Sequence, residues 1–98
     1  MPYILPDDRK KLIEKILDIA RNDLTTGEIN YIITSLVHME VEKKGLKYEE
    51  INRIIGVLEC AKLEFYRMVA APYEDKKIEI NGYVSDLDKR GSLWYLEL

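Results

Sequence analysis

The stretch YEEINRIIGVLECAKLEFYRMVAA, residues 48–71, decides the fold. It contains no proline and a single glycine, and its apolar residues recur every three or four positions, which predicts one helix of about 24 residues. Because a helix with an apolar stripe must pack against neighbours, we expect a mainly α protein. The stripe consists of Ile51, Ile54, Ile55, Leu58, Ala61, Phe65, Met68 and Val69.

The same helix carries a second, narrower apolar row almost opposite the first. Gly56, Leu63 and Ala70 repeat every seven residues, with Cys60 beside them and Asn52 in a parallel row. We call these five residues the oligomer seam. A helix with two apolar faces must be covered twice, so a fourth element or a second copy of the chain is expected on the seam.

Two amphipathic helices are predicted before this segment. Pro6 with acidic residues after it suits a helix start, and Thr25 with Glu28 fits the capping box of a second helix. Gly45 is the expected end of that helix. The inward positions are Leu12, Ile13, Ile16, Leu17, Ala20 and Leu24 in the first helix, and Ile29, Ile32, Ile33, Leu36 and Val37 in the second.

The segment after the long helix has a different character. Pro72 is predicted to stop the helix, and residues 73–79 are consistent with a short helix or an ordered loop before a turn at Asn81-Gly82. The sequences YVSDL (83–87) and LWYL (93–96) flank DKRG (88–91), which predicts a β-hairpin. The expected architecture is a small helical bundle of three main helices plus a short fourth, with a C-terminal β-hairpin. Residues 1–84 form the helical domain, and residues 85–98 form an extension that docks on it or on a partner.

Length and composition restrict the possible functions. The 98 residues make one domain and exclude large enzyme folds, and a balance of 15 basic against 18 acidic residues argues against a nucleic-acid partner. No run approaches the roughly 20 apolar residues of a membrane span, and no signal peptide is recognisable, so we expect a cytoplasmic protein without a membrane partner. The 12 isoleucines and the absence of glutamine are typical of proteins from hot environments.

Ten polar residues form the candidate polar site. Glu28, Glu59 and Asp75 could converge as ligands for Mg²⁺ or Mn²⁺, as in all-helical nucleotide phosphohydrolases, with Lys62 or Arg67 on the phosphate. The close acidic spacings of those enzymes are missing from the central helix, so capping and surface ion pairs are the simpler interpretation. The full set is Glu28, Asn30, Tyr31, Glu59, Lys62, Tyr66, Arg67, Tyr73, Glu74 and Asp75.

The sequence predicts no catalytic residue. His38 is the only histidine, and no serine or cysteine is recognisable as its partner, so the sequence does not predict a nucleophilic triad. Cys60, in mid-helix, fits a small packing residue rather than a reactive thiol. No cofactor is predicted, apart from the metal ion of the phosphohydrolase alternative.

Three blocks resemble a family of small uncharacterised proteins from prokaryotes and their phages. They are GEINY (27–31), GVLECAKLEFYR (56–67) and APYEDKKIE (71–79), and the resemblance extends over residues 1–84. This chain departs from the pattern at Met68, where a second arginine is expected, and at Ile80 and Tyr83, where acids are expected. The resemblance implies kinship and brings no activity.

These observations favour a homo-oligomeric interaction or accessory module. The chain itself is the expected partner, and another protein is a further possibility, for instance a host protein bound through Trp94 and Tyr95 by a phage-linked regulator. The alternative from a different class is the metal-dependent nucleotide phosphohydrolase.

Overall fold

The computed structural model describes the backbone of residues 1–93 and the side chains of residues 1–89. The mainly α class is confirmed, and no strand occurs among the described residues. The chain divides into two compact units, Met1–Lys62 and Leu63–Leu98. Its elements are α1 (Pro6–Ala20), α2 (Thr26–Lys44), α3 (Tyr48–Phe65), a π-helical turn (Tyr66–Ala70), α4 (Ala71–Asn81) and α5 (Asp86–Leu93).

The predicted starts of α1 and α2 and the predicted end of α2 are confirmed, but Leu24, which the sequence places in the first helix, lies beyond the end of α1 at Ala20. α1 begins with Pro6 in its first turn. At the start of α2, the backbone N–H of Glu28 donates to Thr25 Oγ1 over 3.1 Å, and the Thr25 N–H donates to Glu28 Oε1 over 2.8 Å, which completes the capping box. α2 ends at Gly45, whose φ of 92° lies in the region that favours glycine.

The helices of the first unit do not enclose the core that the predicted bundle requires. Among the described residues, Ile54 and Glu50 alone are buried. Eight leucines and isoleucines of α1 and α2, which the sequence places on inward faces or beside them, are between 39% and 59% exposed. Among the described residues, the helices of the first unit therefore do not form the predicted closed bundle.

Pro72 does not stop the helix, contrary to the prediction. The backbone N–H of Ala71 donates to the carbonyl of Tyr66, five residues earlier, which is the π-helical pattern. A proline inside an α-helix lacks an N–H and collides with the carbonyl four residues before it, and the wider π turn relieves that collision. Pro72 then lies in the first turn of α4, which continues to Asn81 and ends at Gly82 with a φ of 84°.

The predicted β-hairpin is wrong. α5 covers residues 86–93, which include the whole predicted turn and parts of both predicted strands. Ser85 Oγ accepts a hydrogen bond from the Leu87 N–H over 3.2 Å, and the Asp88 carboxylate accepts one from the Val84 N–H over 3.0 Å. The bond to Ser85 satisfies a free amide in the first turn of α5, and the bond to Asp88 holds the residue before the cap, whereas a hairpin depends on contacts made elsewhere. Residues 94–96 of the second predicted strand lie outside the described residues.

Candidate functional site

The polar candidates of the first unit form local pairs. Glu28 belongs to the capping box, and the hydrogen bond from the Thr25 backbone N–H lowers the pKa of its carboxyl group. Asn30 accepts a hydrogen bond from a threonine one turn later, over 3.1 Å. Lys62 Nζ lies 3.3 Å from Glu59 Oε1. Each contact joins residues three or four apart in sequence, which agrees with capping and surface pairing.

Tyr31 and Glu28 share a shallow groove at the start of α2. The groove has a volume of about 400 Å³, and Leu24 and Ile32 also line it. The Tyr31 side chain is 73% exposed. Among the described residues, no group of three or more histidines, cysteines or acids could hold a metal ion.

In the second unit, the structure brings two of the candidates together. The Tyr66 hydroxyl lies 3.4 Å from Glu74 Oε2, although the residues are eight positions apart. In an α-helix such residues would be about 80° apart around the axis. The π turn between them adds one residue to the helical turn, so the pair comes onto nearly the same face.

The other candidates of this unit make separate contacts. Arg67 Nη2 donates to both carboxylate oxygens of Glu64, each over 3.1 Å. Lys77 Nζ lies 5.6 Å from the centre of the Tyr73 ring, within cation–π range. Asp75 is exposed on α4. The candidate residues of the second unit therefore make separate pairwise contacts and do not converge on one site.

The oligomer seam is open in the described chain. A Cβ atom added at Gly56 would meet nothing within 4 Å, Cys60 is exposed, and the Leu63 side chain is 54% exposed. Asn52 is exposed and Ala70 is half-buried. The seam residues up to Cys60 belong to the first unit, and Leu63 and Ala70 belong to the second. That a second copy covers this seam stays a prediction.

The sequence analysis missed an ionic cluster between α2 and α3. Arg53 Nη2 lies 2.8 Å from Glu50 Oε2 and 3.9 Å from Glu40 Oε2. The hydrogen bond from Arg53 lowers the pKa of the Glu50 carboxyl group, and the charges of Lys44 and Lys47 act in the same direction. The spacing of Glu50 and Arg53 was a usable signal because residues three apart face each other on a helix. The contact with Glu40 joins two helices, and no local pattern reveals it.

Two apolar grooves lie between neighbouring helices of the first unit. The α2–α3 groove has a volume of about 480 Å³. It is lined by Val37, Val41, Leu46, Ile51, Ile54 and Ile55, together with His38, Glu42 and Gly45. The α1–α2 groove has a volume of about 250 Å³. It is lined by Ile16, Ile19, Ala20, Leu24, Ile29, Ile32, Ile33 and Leu36.

Comparisons with other proteins agree with the resemblance noted in the sequence. No helix among the described residues is long and apolar enough to cross a membrane. Neither the curated proteins nor the solved structures include a significant match to this chain. A family profile matches residues 1–84, which end before α5. The chain therefore belongs to the family described as Domain of unknown function (DUF6899).

Proposed function

We propose that this protein is a homo-oligomeric interaction module whose assembly covers the apolar faces of its helices. The observation that carries the proposal is the exposure of the inward-facing residues. Ile54 is the only apolar side chain buried among the described residues. Isolated exposed leucines are ordinary on a protein surface, but contiguous apolar faces along several helices are characteristic of an interface.

The free energy at stake is large compared with the stability of a small domain. Complete burial of one leucine or isoleucine contributes about 1.5–3 kcal/mol. Covering the exposed part of the eight half-exposed residues of α1 and α2 would contribute on the order of 5–10 kcal/mol per chain. A dimer gains this contribution twice, and it is offset once by an association cost of about 4–15 kcal/mol. The net gain is then on the order of a few kcal/mol per chain, a substantial part of the stability of a typical domain.

A protein surface suits these faces better than the other partners considered. The net charge of −3 gives no attraction to nucleic acid or to an anionic membrane surface. Two copies of one chain present the same apolar patch to each other, as in the commonest soluble oligomers. The isoleucine-rich composition without glutamine supports a thermophilic source for this assembly, and its expected place is the cytoplasm.

The test is the molar mass of the purified chain, measured by light scattering and by sedimentation over a hundredfold range of concentration. We expect at least twice the 11.5 kDa of one chain. A Leu63→Lys variant reports separately on the seam, because an unpaired charge in an interface is costly and should split the assembly. A well-folded chain with the mass of a monomer at every concentration would contradict the proposal.

No specific observation favours the phosphohydrolase alternative. Glu28 is held by the capping box and Glu59 by Lys62. The described residues offer no group of acids that could hold a metal ion. A simple check is turnover of nucleoside triphosphates with Mg²⁺ or Mn²⁺, and measurable hydrolysis would replace the present proposal.

A further inference from the structure

We infer that the chain pairs through the middle of α2, residues 29–39, which lies antiparallel against the same segment of a second copy. The inference rests on the proposed function and names the surface that the assembly uses. It differs from the sequence prediction, which placed the contact on the oligomer seam of α3.

The first argument is the absence of charge along this segment. Residues 29–39 read INYIITSLVHM, and they form the longest run of the chain without Asp, Glu, Lys or Arg. A helix in contact with water normally carries charged residues on its outer face. Here both outer and inner positions are uncharged, while Tyr31, Leu36 and Met39 are exposed. Charge depletion with Tyr and Met enrichment is the composition of interface cores.

The second argument is the chemistry of the α1–α2 groove beside the segment. Its lining consists of isoleucine, leucine and alanine side chains alone. Sites for small ligands contain a few polar groups that orient the ligand, and this groove supplies none. The occupant that suits it is therefore an apolar side-chain row.

The third argument identifies the second copy as that occupant. The charge-free run is roughly 16 Å long, so a matching partner must be uncharged over the same length. α2 of another copy meets this requirement, because a two-fold axis near Thr34 places each charge-free run against the other. Two α1–α2 pairs then form the four-helix layer that neither chain completes alone.

The projected size of this surface is close to the lower limit for a specific dimer. α1 has 15 residues and α2 has 19, so the shorter helix is about 22 Å long and two helices side by side are about 20 Å wide. The projected face is on the order of 450 Å², and side-chain relief increases the accessible area. Specific interfaces begin at about 600 Å² of accessible surface per partner.

The test is crosslinking at the expected two-fold axis. Ile33→Cys and Leu36→Cys are made separately in a Cys60→Ser background, and each is treated with a short flexible bismaleimide. Both should give covalent dimers in high yield, because a residue near the two-fold axis lies close to the same residue of the second copy. Lys43→Cys is the matched control on the same helix. Nine residues from Thr34, its thiols would be roughly 27 Å apart, so it should give little dimer.

The outcomes separate this inference from the proposed function. A wild-type chain that is monomeric in solution overturns both. An oligomer in which neither α2 thiol crosslinks, or in which the Lys43 variant crosslinks equally well, overturns the α2 pairing and leaves the homo-oligomer standing. An Ile33→Glu variant adds a second readout: it should lower the molar mass of the assembly, and an undiminished mass would contradict the pairing.

Discussion

At the scale of single residues, Thr25 has the most clearly defined contribution. Its side chain and backbone both take part in the capping box that begins α2. Removing such a cap costs about 1 kcal/mol, so Thr25→Ala should lower the unfolding midpoint by about 4–8 °C for a chain of this size. Thermal unfolding followed by circular dichroism measures the change. Thr26→Ala, one residue inside the helix, is the control, and an equal loss in both variants would refute the assignment.

A second prediction at this scale concerns Glu50 and the pH dependence of the free energy of unfolding. The pKa of its carboxyl group lies below the ordinary value of 4.5 in the folded chain, mainly because Arg53 donates a hydrogen bond to it. A lowered pKa means that the unfolded chain binds more protons in acid. The stabilisation is therefore complete above the ordinary pKa and is lost as the pH falls through the folded one.

The change that tests this is Glu50→Gln, measured by urea unfolding between pH 7 and pH 3. The variant should lose less stability on acidification than the wild type does, because position 50 then carries no carboxylate that gains a proton. Glu49→Gln, on the exposed neighbouring position, should retain the wild-type pH dependence. Parallel curves for wild type and Glu50→Gln would show that the ion pair with Arg53 is energetically silent.

At the scale of elements, the π turn before α4 determines which residues of the second unit face each other. Tyr66 and Glu74 meet because one extra residue lies in the turn between them. Pro72→Ala restores the missing N–H and permits the ordinary α-helical register. We expect the variant to be more helical and to turn Glu74 away from Tyr66.

A double-mutant cycle with Tyr66→Phe and Glu74→Gln measures this change. Coupling of about 0.2–1 kcal/mol, usual for exposed polar pairs, should be present with proline and absent with alanine at position 72. The control is a second cycle that combines Tyr73→Phe with Glu74→Gln. These two residues are adjacent in sequence, and adjacent residues do not face each other on a helix, so no coupling is expected. Coupling that survives Pro72→Ala would mean that the π turn does not set the register.

At the scale of the whole molecule, the proposed assembly predicts that stability depends on the concentration of the chain. If assembly covers them, the folded state gains free energy by mass action and the unfolded state does not. The thermal midpoint of the wild type should therefore rise as the chain concentration is raised from micromolar to millimolar. Differential scanning calorimetry at several concentrations is the measurement. A constant midpoint would indicate that single chains are stable with their apolar faces exposed.

Local signals account for most of what could be predicted from the sequence. The capping box at Thr25 and Glu28 and the positive-φ glycines that end α2 and α4 are interactions over a few residues, so their patterns were readable. The hairpin prediction is wrong because the aromatic and aliphatic residues of this segment favour strands, whereas Ser85 and Asp88 have the spacing of a helix cap. The prediction that Pro72 ends the helix is wrong because a π turn, which is rare, accommodates the proline.

The sequence by itself determined the helical class, the starts of α1 and α2, the end of α2 at Gly45, and the family. Each follows from hydrogen bonds and periodicities within one helical turn or from residue identity. Tertiary structure alone decided that Arg53 reaches Glu40 across two helices, and that the residues expected in a core remain exposed within a single chain. The physical reason is that periodicity marks which face of a helix is apolar, but the arrangement of helices decides whether the same chain or another one covers it.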